Sequence, residues 1–201
     1  MFYLGLDLGQ RHDPSALVAI ERIELYRAWQ SSGLHSLRLR FLQRVHLGTP
    51  YPLVVDRVRQ IVTANPLVDN CALVVDATGV GAPVVDMLKA ARLGCEITPV
   101  NITGGDRQHK VGATWNLPKQ DPLASLQVTL DRGELKIAHD LPDLGPLLRE
   151  LIDFRSVIHG DGRIRLGADG CGEHDDLVIA LALAVWRAQR PVNTSGTQRI
   201  V

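Results

Sequence analysis

The sequence predicts an α/β fold: a mixed sheet of three antiparallel strands followed by parallel strands, flanked by helices. Two patterns carry that prediction. Short apolar or alternating runs without helical periodicity fill the first 46 residues, and beyond them apolar runs bounded by Gly and Pro alternate with stretches of helical periodicity. A third observation concerns size. With 201 residues, 45% hydrophobic and 22% charged, the chain suits one soluble domain with a sizeable core. Aromatic residues make up only 4%, so that core must rest on Val, Leu, Ile and Ala.

Each element follows from local pattern. Residues 2–8 form a short apolar run containing Asp7 and bounded by Gly9, a buried strand. Asp13-Pro14 marks a turn, and residues 16–21 make a second strand. Over residues 36–46, Leu37, Leu39 and Phe41 alternate with Arg38, Arg40 and Gln43, a half-exposed strand that completes an antiparallel meander. Residues 52–64 place Val54, Val55, Val58, Ile61 and Val62 on one helical face, with Pro66 at the exit. Cys71–Asp76 is a continuous apolar run, expected of a strand covered on both faces. Thr78-Gly79-Val80-Gly81 turns into a helix over 82–91, with Pro83 in its first turn. A strand over 96–100 follows.

Periodicity then dissolves, and residues 101–118 are expected to form a long loop around Gly104-Gly105. A helix over 121–131 stops at Gly133, and a short strand covers 134–138. A helix over 144–154 precedes a hairpin over 156–166, marked by Gly160-Asp161-Gly162. A final helix over 175–190 ends at Pro191. Residues 1–190 thus read as one domain and 191–201 as a disordered tail. The order strand-strand-strand-helix-strand-helix-strand is that of the RNase H-like fold.

Several function classes recede on composition. Formal net charge is zero, which argues against tight DNA coating but not against a nuclease, where clustered carboxylates offset Lys and Arg. Cys71, Cys95 and Cys171 are odd in number, widely spaced and form no CxxC, so a zinc site or disulfide framework is not expected and they read as idle thiols. No signal sequence or membrane span is legible, and a cytoplasmic location is expected, in a bacterial host or encoded by a prophage.

Three carboxylates stand out. Asp7 interrupts the first strand, Asp76 ends the strand Leu73-Val74-Val75-Asp76, and Asp176 opens the last helix. Acids inside or ending buried strands are costly unless compensated, and three from distant segments repel one another unless cations sit between them. Oxygen-only ligands suit Mg²⁺ or Mn²⁺, and two such ions serve phosphodiester hydrolysis. Each acid also has a plain structural role open to it. Asp7 would cap the turn at Gly9, Asp76 would accept from the Thr78 or Gly79 amides, and Asp175 and Asp176 would favour a helix dipole. Within Glu173-His174-Asp175-Asp176, helical spacing puts Glu173 and Asp176 on one face. Asp176 shares its stripe with the small Ala180, so Asp176 is preferred as ligand and Glu173 or Asp175 as helpers. Asp13 reads as a turn former.

The combination Gly5-Leu6-Asp7-Leu8 with Asp13-Pro14-Ser15-Ala16, then Val75-Asp76-Ala77-Thr78-Gly79-Val80-Gly81, then His174-Asp175-Asp176-Leu177-Val178-Ile179-Ala180 resembles the nuclease domain of phage terminase large subunits. Leu117-Pro118-Lys119-Gln120-Asp121 with Leu126 and Gly133-Glu134-Leu135-Lys136-Ile137 resembles them too, so the likeness spans residues 3–187. That family cuts double-stranded viral DNA during packaging with two metal ions. The resemblance implies the three ligand roles for Asp7, Asp76 and Asp176. It also implies a separate ATPase motor domain, a small terminase subunit and a portal as partners. These 201 residues contain no GxxxxGK[ST], so no motor activity is implied for them.

Candidate phosphate contacts are Lys110, Lys119, Arg155, Arg163 and Arg165, with Arg107 and His109 in the expected loop. Trp115 reads as a core anchor. The competing readings are a Holliday-junction resolvase, an actin-like or sugar-kinase-like nucleotide-binding fold suggested by Gly5-Leu6-Asp7-Leu8-Gly9, and a degenerate nuclease used for assembly.

Overall fold

The computed structural model describes residues 1–9, 13–25, 35–79, 81–156 and 175–190. Its elements are β1 (Phe2–Asp7), β2 (Ala16–Glu24), β3 (His35–Arg44), α1 (Tyr51–Val62), β4 (Cys71–Asp76), α2 (Gly81–Ala90), β5 (Glu96–Thr103), β6 (His109–Val111), β7 (Thr114–Pro118), α3 (Gln120–Asp131), β8 (Leu135–Ile137), α4 (Leu144–Ser156) and α5 (Asp176–Ala188). The strands form one sheet in the order β6-β7-β5-β4-β1-β2-β3-β8. The meander β1-β2-β3 is antiparallel, while β4 joins β1 in parallel and β5 joins β4 in parallel, as the sequence predicts.

The expected loop over 101–118 is a correction. β5 runs on to Thr103, and β6 and β7 make a hairpin, β7 pairing in parallel with β5. The apolar signal fails here because the hairpin lies at the margin of the sheet: the edge strand β6 is wholly exposed, and of its neighbour β7 only Leu117 and Pro118 are buried. Backbone hydrogen bonds, to which any side-chain pattern is blind, hold them in the sheet. The hairpin expected over 156–166 and the tail over 191–201 lie outside the described residues. Among the described residues, no helix is long and apolar enough to cross a membrane.

The sheet separates two apolar layers. On one face Leu4, Leu6, Leu73 and Val75 meet Val54 and Val58 of α1 and Val84 and Leu88 of α2. On the other, Tyr3, Val18, Ala72 and Val74 meet α5 together with Leu123 and Leu126 of α3 and Leu147 of α4. α5 is buried along its whole length, which explains why its sequence is apolar all round rather than on one stripe.

α5 lies directly on β1. A Cβ built on Gly5 would stand 1.8 Å from the Ala180 carbonyl oxygen and 3.1 Å from the Ala184 nitrogen. Only glycine at this position, facing small residues on the helix, allows backbone to meet backbone. Trp186, at the far end of α5, meets Trp115 of β7 edge-to-face at 5.9 Å, so Trp115 does act as a core contact.

Gly5→Ala is therefore expected to lower stability by about 3 kcal/mol or more, since neither backbone can yield without shifting α5. Gly104→Ala, where a Cβ meets nothing within 4 Å, should change stability by less than about 0.5 kcal/mol. Urea unfolding of the two variants checks the contrast, and equal midpoints would contradict it.

Candidate metal centre

Parallel strands β1, β4, β5 and β7 all end at the same edge of the sheet. After β1 the chain turns toward β2 on one side, and after β4 it crosses through α2 to β5 on the other. Such a divergence leaves a crevice at the carboxyl ends of the strands, where open α/β sheets bind ligands. Asp7 and Asp76 occupy it. They are register partners at the last positions of β1 and β4, roughly 4.8 Å apart by strand spacing. Alternation puts both on the α5 face, since Tyr3 and Gly5 on β1 and Ala72 and Val74 on β4 face that way. The approach of α5 to Gly5 brings the first turn of that helix, and with it Asp176, to the same crevice.

The electrostatics record this convergence. Burial raises the Asp7 carboxyl well above its ordinary value, and Asp76, Asp176 and Asp175 raise it further, with Lys119 opposing. Asp76 is also raised by burial, against hydrogen bonds from Thr78 and the charge of Lys119. The expected cap from Asp7 to the Gly9 turn is not formed: Gly9 donates its N–H to Ser15 Oγ at 3.1 Å, and Tyr51 donates to Gly9 O at 3.1 Å. Asp76 does take the structural role open to it, accepting from Thr78 N at 2.8 Å through Oδ1. Thr78 Oγ in turn accepts from Ile102 N at 2.7 Å, tying this turn to β5.

Asp175 and Asp176 have different surroundings. Asp175, the N-cap residue of α5, is bonded by Lys119 Nζ at 2.9 Å. Asp176 is buried, and its Oδ2 stands 3.9 Å from Arg44 Nε. Lys119 reaches the crevice because β7 delivers it there, its backbone N–H held by Thr103 O at 3.1 Å. Expected as a phosphate contact, Lys119 is thus a counter-charge inside the acidic cluster. Lys110 is not brought to the crevice: it lies exposed on edge strand β6, its Nζ over the Trp115 ring at 5.8 Å. Arg107 and His109 are likewise exposed. Glu173, His174, Arg163 and Arg165 lie outside the described residues.

Sequence reasoning missed two residues. Glu150 on α4 is buried, forms an ion pair with Arg44, and accepts from Val178 N in the first turn of α5 at 3.0 Å. Burial pushes its carboxyl up to about 7, Val178 N–H and Arg44 oppose this, and Asp176 and Asp175 add to it. Arg44, ending β3, gives its own N–H to Asp143 Oδ2 at 2.8 Å. Arg44 and Glu150 therefore fix the start of α5 against β3 and α4. Glu150 was findable: it falls three residues after Leu147, on the buried stripe of its helix. Arg44 carries no comparable signal.

Among the described residues, no three acid, histidine or cysteine side chains stand close enough to grip one ion by themselves. The donor set still fits a hard divalent cation. It is oxygen-only, and Asp7 accepts no hydrogen bond among the described residues while facing three other acids. Mg²⁺ is ordinarily held by one or two carboxylates, with water and phosphate completing its shell.

Sequence comparison gives no match to a family model or to a curated protein. Comparison of structures does. The large terminase nuclease from thermophilic phage G20c superposes with a TM-score of 0.57 at 21% identity, covering 92% of this chain and 80% of that one. The same nuclease with bound zinc gives 0.57 at 20%, covering 92% and 79%. The g2p large terminase nuclease domain of bacteriophage SPP1 with bound Mn gives 0.51 at 16%, covering 92% and 85%. The chain has the fold of these terminase nucleases. The RNase H-like architecture expected from element order is thereby observed, with the acidic crevice at the carboxyl ends of its parallel strands.

Two predictions follow from the charges. Asp7, Asp76 and Glu150 are all raised in the folded state, so the folded chain holds protons that the unfolded chain has released. Their stabilising contribution is complete below the ordinary carboxylate range and is lost as pH rises toward and through about 7. In EDTA, the melting temperature of Asp7→Asn relative to wild type should therefore rise between pH 5 and pH 7.5. Mn²⁺ should reverse the order at pH 7.5 by stabilising wild type alone. A difference independent of pH and metal would contradict this. Separately, Arg44→Met should cost up to about 3 kcal/mol at pH 8.5, where Glu150 is ionised and keeps only the Val178 amide, and less at pH 6, where Glu150 takes up a proton; adding Glu150→Gln should recover much of the loss at pH 8.5. Chemical denaturation of the two variants measures the coupling.

Proposed function

We propose that the chain is a divalent-metal-dependent DNA endonuclease whose ligands are Asp7, Asp76 and Asp176, with Asp175 and Glu173 as helpers. The observation that carries this reading is the meeting of acids from β1, β4 and α5 in one crevice of a fold shared with terminase nucleases. Two of those structures hold zinc and Mn, which supports a divalent-metal role for this chain.

A pair of Mg²⁺ or Mn²⁺ ions bound at these carboxylates would activate water and stabilise the leaving oxygen in phosphodiester hydrolysis. The chain's own residues do the positioning. The position of Asp7 between Asp76 and the start of α5 supports its role as the ligand common to both. Thr78 holds the Asp76 carboxylate through its backbone N–H and its side chain. The Lys119 bond to Asp175 supports Asp176, buried beside it, as the preferred ligand from α5. Arg44 and Glu150 act as positioning residues for that turn. Lys110, Arg163 and Arg165 are proposed to contact phosphates without reading sequence.

The substrate in this reading is double-stranded DNA, and the chain is the cutting half of a packaging enzyme working with an ATPase motor domain, a small terminase subunit and a portal in the cytoplasm of a bacterial host. Supercoiled plasmid incubated with Mn²⁺ or Mg²⁺ should be nicked and linearised by wild type. Asp7→Asn, shown folded by its melting curve, should cut at least about 100-fold more slowly. Intact plasmid with either metal, or equal cutting by the variant, would overturn the proposal.

A further inference from the structure

Cys71 and Cys95 stand 24 residues apart in sequence, but the fold makes them neighbours. Ala72 and Glu96 are partners in the parallel pair β4–β5, so the residues before each lie side by side at the amino end of those strands. Both side chains fall on the α1/α2 face. Cys71 is a member of the apolar cluster with Leu73 and Val75, and Cys95 packs against that cluster with Ile97. Their sulfurs are in hydrogen-bonding contact, and neither is in a disulfide. The free, buried Cys71 agrees with the expected buried or idle thiols, but spacing along the chain does not reveal that Cys71 and Cys95 adjoin. Cys171 lies outside the described residues.

Access and charge suit a reaction at the pair. Cys71 is buried, but Cys95 is partly exposed and lines an open depression with Lys89, Arg92, Leu93, Gly94 and Ile97. Burial and the Cys71 contact raise the Cys95 thiol, so Cys95 stays protonated and acts as the partner of Cys71. The S–H that Cys95 offers to Cys71 lowers the Cys71 thiol from its ordinary value, against its burial, so Cys71 is the sulfur that ionises first.

We propose that Cys71 and Cys95 form an oxidation site that closes to an intramolecular disulfide on exposure to a peroxide. Adjacent strand positions lie at roughly 4.8 Å, inside the range of Cα separations, about 4.4–6.8 Å, that disulfides span. The Cys71 thiolate attacks one peroxide oxygen, breaking the O–O bond, and becomes a sulfenic acid as hydroxide leaves and is protonated to water. The Cys95 sulfur then displaces the sulfenic oxygen, which leaves as a second water. Two thiols and one hydrogen peroxide thus give one disulfide and two waters, the dithiol oxidised by two electrons and the peroxide reduced by two. The bond closes a ring from residue 71 to residue 95. That ring contains Asp76, the Thr78 turn and α2, so oxidation staples the β4–α2 unit without touching the crevice, which lies at the opposite end of β4.

The full chain, reduced and then treated with stoichiometric hydrogen peroxide, should lose two of its three thiols and 2 Da of mass while remaining a monomer. A digest kept non-reduced should yield one cross-linked peptide joining Cys71 to Cys95. The oxidised chain should melt several degrees higher, by roughly the effect of closing a loop of this length, and return on reduction. Cys95→Ser should form no cross-link, show no 2 Da loss and keep its melting temperature under the same treatment, with Cys71 trapped as a sulfenic acid. A cross-link through Cys171, a disulfide-linked dimer, or sulfinic acid at either sulfur without the 2 Da loss would each overturn the proposal. None of these readouts depends on nuclease activity.

Discussion

The contact between Gly5 and Ala180 governs this molecule. It lets an entire buried helix lie on the central strand with no side chain between them. Because α5 runs antiparallel to β1, a fixed contact at Gly5 and Ala180 also fixes the ends. Four residues toward the amino terminus of the helix is Asp176, and two residues along the strand is Asp7. At the other end, Trp186 is carried to Trp115 and so locks the β7 edge against the core. One glycine thus positions two of the three candidate ligands relative to each other and ties the far side of the sheet to the same helix.

Around that contact, charge rather than shape is the constraint. Asp7, Asp76, Asp175, Asp176 and Glu150 act on one another through a partly dry crevice, and each added carboxylate makes the next harder to ionise. The chain answers with two cations brought from opposite directions. Lys119 arrives from β7 and is bonded to Asp175, and Arg44 arrives from β3 and sits between Glu150 and Asp176. Backbone amides supply the remainder, Thr78 N to Asp76 and Val178 N to Glu150. Asp7 receives no such bond among the described residues. It is the acid that the protein alone compensates least, which is what a cation ligand at the centre of the site requires.

How much of this was legible follows from which physics each part obeys. β4 was readable to the residue, because a strand covered on both faces must be apolar throughout. The helices α1 and α3 were readable to within two residues, because a stripe against a sheet imposes a period. The hairpin β6–β7 was not, since strands at the thinly covered margin of a sheet are held by backbone bonds that leave no trace in side-chain pattern. The position of Lys119 was lost with it, because a residue assigned to a loop has no predictable neighbour. The three aspartates were legible as misfits in apolar surroundings. Arg44 was not, because a charged residue at a strand end looks like any solvated one until the third dimension supplies Glu150. The pairing of Cys71 with Cys95 was hidden for a related reason. It depends on β4 and β5 being register neighbours, and spacing along a chain says nothing about register across a crossover.

The charge arrangement also bears on how DNA would approach under the proposed function. A formal net charge of zero gives no long-range attraction for a polyanion, and a crevice of clustered carboxylates repels phosphate at short range. Lys119, the basic residue within the crevice, is already engaged with Asp175. Divalent ions held by Asp7, Asp76 and Asp176 would neutralise the acids and so favour the entry of a phosphate. Metal and substrate are in that case thermodynamically linked, each raising the affinity for the other by the same factor. Under that reading, ions at the crevice would supply the attraction over the last few ångströms, and whatever presents the duplex would supply the rest.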